Sequence, residues 1–72
     1  MIINSEILNG ETIYNFESRG VAYTVFTKTD GFEVWSNRLA MSAMPSIRFF
    51  RNLKELASAT KALKNLSALI AA

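Results

Sequence analysis

A chain of 72 residues is expected to fold as one domain, 1–72, and at this size only about 60% of the unfolded surface is buried, so stability is modest. Half of the residues are hydrophobic and there are only 3 Gly and 1 Pro, which excludes a disordered linker. With no Cys and no His there is neither a disulfide framework nor a thiolate or imidazole metal site, and no cofactor or metal is expected.

Taken in chain order, the first half is punctuated by turn signals at near-regular spacing: Asn9-Gly10, Ser18-Arg19-Gly20 and Thr29-Asp30-Gly31. Asn-Gly is the strongest of them, because a two-residue type I′ turn needs positive φ at both central positions. The intervening runs are rich in β-branched and aromatic residues and predict strands over Ile2–Leu8, Glu11–Ser18, Val21–Lys28 and Phe32–Asn37. The following "RLAMSAMP" has no alternating pattern and is expected to be a loop crossing the sheet or its edge. "SIRFF" then has the composition of a fifth short strand, the alternative being a first helical turn that Pro45 would open at Ser46.

Asn52 followed by Glu55 has the form of a capping box, so a helix is expected from Leu53. Beyond it Leu53, Leu56, Thr60, Leu63, Ser67 and Ile70 recur at spacings of three and four, widened by Ala57, Leu66 and Leu69. A stripe of that width suits packing on a sheet. The expected architecture is therefore α+β: an antiparallel meander of four to five strands with one C-terminal helix, about five turns long, packed on one face.

Alternation along the strands leaves too much apolar surface for one helix to cover. Tyr14 and Phe16 oppose Ile13, Val21, Tyr23 and Val25 oppose Ala22 and Phe26, and Phe32 and Val34 oppose Trp35. Either the sheet curls around its core, or a partner buries the second face, or the patch is simply exposed. Tyr14, Phe26 and Trp35 are the candidate partner-binding residues, and a domain this small without a covalent staple commonly pairs with its own copy, so a homodimer is expected.

Charge is unevenly placed. Residues 1–46 hold Arg19, Lys28 and Arg38 against Glu6, Glu11, Glu17, Asp30 and Glu33, a net −2, whereas 47–72 hold five cations against Glu55, a net +4. Arg48, Arg51, Lys54, Lys61 and Lys64 are the candidate nucleic-acid contacts, which with stacking on sheet aromatics would make a small nucleic-acid-binding regulator. Set against that, cations on a helix are usually a solvated face, and the whole chain is only +2.

Catalysis would fall on six carboxylates alone, with no nucleophile elbow or Ser-x-x-Lys setting, and the Gly residues sit singly rather than in a phosphate loop. No enzyme is expected. "MIINSEIL" lacks the basic start and long apolar stretch of a signal peptide, and Lys54, Glu55, Lys61 and Lys64 would be penalised in a bilayer core, so a cytoplasmic protein with no membrane partner is expected. The layout of a β-meander, a strand running into "RFFRNLKELA" and a Lys-dotted terminal helix resembles the small orphan proteins of phages and mobile elements, anti-CRISPR proteins among them. That resemblance implies a non-enzymatic interaction protein that binds and blocks a host protein or complex. It carries over no functional residue, since the group shares no common active motif.

Overall fold

The computed structural model describes residues 2–40 and 44–72. Five strands, β1 (Ile3–Leu8), β2 (Glu11–Ser18), β3 (Val21–Lys28), β4 (Gly31–Arg38) and β5 (Ser46–Phe50), pair antiparallel in sequence order. Two helices follow, α1 (Leu53–Ala59) and α2 (Lys61–Ala71), which places the chain in the α+β class.

The pairs Leu8↔Glu11 and Ser18↔Val21 close two-residue loops, and in both loops each residue takes positive φ: 52° and 81° at Asn9 and Gly10, 52° and 76° at Arg19 and Gly20. This is the backbone of a turn whose twist matches that of the flanking strands. The third loop is Thr29-Asp30, and Gly31 opens β4 with φ 153°. A Cβ at Gly31 would stand 2.6 Å from the Phe49 ring and meet the Phe50 carbonyl. The missing side chain makes room for that aromatic on the neighbouring strand.

"SIRFF" is a strand, and it pairs with β4 through Trp35↔Ile47 and Phe32↔Phe50. The segment expected to cross the sheet therefore joins adjacent antiparallel strands; its residues 41–43 lie outside the described residues. Leu39 N donates to Gly20 O at 2.9 Å and ties the start of that connection to the second turn.

The expected single helix is two. Thr60 is extended, with φ −146° and ψ 163°, and its Oγ1 accepts from Leu63 N at 3.1 Å. Thr60 sits at a helical position in the apolar stripe, but its short β-branched hydroxyl satisfies an otherwise free N–H better as a cap than in mid-helix. At the start of α1, Asn52 Oδ1 accepts from Glu55 N at 2.9 Å. Among the described residues this is the only half of the expected capping box that forms.

Buried Phe16, Val25, Phe32, Val34 and Phe50 form one cluster with Leu56, Ala62, Leu63 and Leu66 of the helices. Register puts all five sheet members on one face, here the inner face: Tyr14 opposes Val25, Val25 opposes Val34 and Phe32 opposes Phe50. Ile3, Tyr14, Tyr23, Leu53, Ala59 and Ile70 pack around the cluster half-buried, with the Phe16 and Tyr23 rings stacked at 4.9 Å.

Candidate interaction surface

Side chains of opposite parity form the outer face. Two successive rows cross it: Asn15, Thr24, Trp35 and Ile47, then Ile13, Phe26, Glu33 and Phe49, each residue opposite the next on the neighbouring strand. Ile13 is buried and Phe26 half-buried, but Trp35 is 38% exposed, Phe49 49% and Ile47 52%. Leu8, at the far side of the same face, is also exposed.

The apolar group is held in shape by its neighbours. Phe26 and Trp35 meet edge to face, with centroids 6.3 Å apart and planes at 66°, a geometry worth about 0.5–1.5 kcal/mol beyond the area it buries. Beside Trp35 in the row, Thr24 Oγ1 donates to Asn15 Oδ1 at 2.9 Å. Lys28 Nζ lies 5.7 Å from the Phe26 ring centroid, 3.6 Å from Glu11 and 3.8 Å from Glu33. Such exposed pairs add little stability, on the order of 0–1 kcal/mol. Their effect here is positional: one ammonium is shared by two carboxylates and the face of an aromatic ring.

Of the residues singled out from the sequence, Phe26 and Trp35 come together on this face, whereas Tyr14 does not. Its register with Ser5 and Val25 sets Tyr14 on the inner face, packed against the core cluster. Strand alternation already grouped Tyr14 with Phe16, so the signal was present. Ile47 and Phe49 complete the outer patch, and the alternation of "SIRFF" separates them from Arg48 and Phe50 in the same way.

The basic residues lie elsewhere. Arg48 is on the inner-face side of β5, its guanidinium 5.1 Å from the Phe50 ring, and Arg51, Lys54, Lys61 and Lys64 are exposed on the connection and the helices. Arg48 is thus on the opposite face of the sheet from the exposed aromatics, and the other four cations are not on the sheet. By register the outer face carries Glu6, Glu11, Glu17 and Glu33 against Lys28 alone, a net −3 in a chain of net +2. Arg48 and Arg51 make no ion pair with these glutamates; the ion pairs among the described residues are those of Lys28.

A cleft of about 380 Å³ opens between the second turn and the start of α2, with Ser18, Arg19, Tyr23, Thr60, Lys61 and Asn65 among its walls and no carboxylate in its lining. Among the described residues no acidic side chains gather in a metal-ligating group, and no helix is long and apolar enough to cross a membrane. No protein-family model, curated protein or solved structure matches the chain.

Proposed function

We propose that this is a non-enzymatic cytoplasmic interaction protein, of the kind made by phages and mobile elements, that covers and blocks a surface of a host protein with the outer face of its sheet. On this reading the C-terminal helices cover the inner face and leave the outer one for the partner. The observation that carries it is the patch of half-buried Phe26 with Trp35, Ile47 and Phe49, large apolar side chains from three adjacent strands, the last three of which remain open to solvent. Aromatic residues dominate binding energy at protein interfaces when they sit centrally in a preorganised group, and Trp35 is braced by Phe26 in that way. The alternative, a nucleic-acid-binding regulator using Arg48, Arg51, Lys54, Lys61 and Lys64, is less well supported, because Arg48 is on the other face from the exposed aromatics and the remaining four belong to the segment after the last strand rather than to the strands that carry those aromatics.

Affinity capture from a host lysate with wild type and Trp35→Ala tests the proposal. The wild type is expected to retain a protein at physiological salt and the variant to lose it, with truncation of a central aromatic anchor costing about 2 kcal/mol or more of binding. Trp35 is outside the core cluster, so the variant should stay folded, with its melting temperature lowered only by the loss of the Phe26 contact. Recovery of nucleic acid without protein, with affinity falling steeply as salt rises, would overturn it.

A further inference from the structure

Building on that reading of the outer face, we infer that its partner surface is a cationic, amphipathic polypeptide segment. Four of the six carboxylates of the chain lie on this face, while among the described residues its only cationic side chain is Lys28. They frame the apolar patch on several sides. Glu17 lies one row beyond Asn15, Thr24 and Trp35, Glu11 and Lys28 one row beyond Phe26, Glu6 on the edge strand, and Glu33 between Phe26 and Phe49. Apolar anchors flanked by charge of a net single sign favour a partner of the opposite sign and repel their like.

Size narrows the occupant further. From Phe26 on β3 to Phe49 on β5 spans two strand spacings, about 10 Å, which is the width of one α-helix with its side chains. A helix with apolar residues at the i, i+3, i+4 spacing would seat them on Trp35, Ile47 and Phe49 and bring flanking Lys or Arg to Glu33 and Glu11. Glu11 and Glu33 share a single ammonium at 3.6 and 3.8 Å, so they retain acceptor capacity for a second cation. A second copy meeting face to face would instead set net −3 against net −3.

Trp35 is the only tryptophan in the chain and lies inside the patch, so its fluorescence reports occupancy directly. The probes are a synthetic amphipathic helical peptide with leucines on one face and lysines on the other, and its counterpart with glutamates for lysines. The lysine peptide is expected to shift Trp35 emission to the blue in a saturable way. Its affinity should fall by about tenfold in the double variant Glu11→Gln, Glu33→Gln and with rising salt, and the glutamate peptide should bind at least about tenfold more weakly. A double variant that binds the lysine peptide as tightly as wild type overturns the inference. Equal binding of the two peptides to wild type also overturns it, while leaving a partner-binding outer face standing. A Trp35 emission that neither peptide moves overturns it too, and the lysate capture then judges the broader reading separately. Emission that depends on protein concentration but not on peptide would replace the basic segment with a second copy of the chain.

Discussion

Thr27 is on the inner face opposite Phe32, and its Oγ1 is buried without a hydrogen-bond partner among the described residues. The contrast with Ser67 is informative: that hydroxyl is also buried, but donates to Leu63 O at 2.8 Å within its own helix. An unsatisfied buried polar group costs about 1–3 kcal/mol, and valine keeps the shape and the strand preference of threonine. Thr27→Val should therefore stabilise the fold by about 1 kcal/mol, which in a domain of this size raises the melting temperature by roughly 4–8 °C. A lower melting temperature would show that the hydroxyl is satisfied in solution. At the same scale Arg19 holds a left-handed conformation that L-residues other than Gly, Asn and Asp adopt at a cost, and the Gly20 that follows lets the turn close.

Both helices owe their start to one short polar side chain. Asn52→Ala and Thr60→Ala each remove an acceptor from a helix N-terminus, and each should lower stability by about 0.5–2 kcal/mol in urea or thermal unfolding. The second substitution is the sharper test, because alanine is the best helix former and Thr60 occupies the break. A gain in stability together with a gain in far-ultraviolet helicity would mean that the chain prefers one continuous helix. Among the strands, the two edges carry blunting features: Asn4, Ser5 and Glu6 on β1, Arg48 and the preceding Pro45 on β5. Polar and charged edges of this kind discourage pairing with another sheet, in keeping with the proposed use of the outer face rather than an edge.

At the scale of the whole molecule the charge is sorted by segment: the outer face of the sheet is net −3, while residues 51–72 hold Arg51, Lys54, Lys61 and Lys64 against Glu55, a net +3. Two-fold pairing through the outer faces, the dimer expected from size and composition, brings like charge together. Added salt shortens the screening length from about 10 Å at 0.1 M to about 3 Å at 1 M and weakens that repulsion. Light scattering over a dilution series should then show a monomer at low salt and pairing only as salt is raised. Growth at low salt that salt reverses would instead indicate basic helices packing on the acidic sheet face of the next copy, a head-to-tail contact that does not close.

The sequence by itself determined the local elements, because their causes are local. Asn9-Gly10 and Arg19-Gly20 pin two hairpins by backbone conformation, β2 and β3 fall on their expected residues, and Asn52 marks the start of α1. Strand alternation likewise separated Phe26 and Trp35 from the residues that became the inner face. Only the tertiary structure decided the rest. The break at Thr60 turns on competition between two uses of one hydroxyl, which periodicity does not resolve, and the place of β5 beside β4 depends on pairing across chain positions. The outer face is a property of register: Glu6, Ile13, Phe26, Glu33 and Phe49 are scattered along the chain and become one row only when five strands align. Its acidity was invisible in a linear count, which divided charge at residue 46, whereas strand register gathers Glu6, Glu11, Glu17 and Glu33 on one face of the sheet.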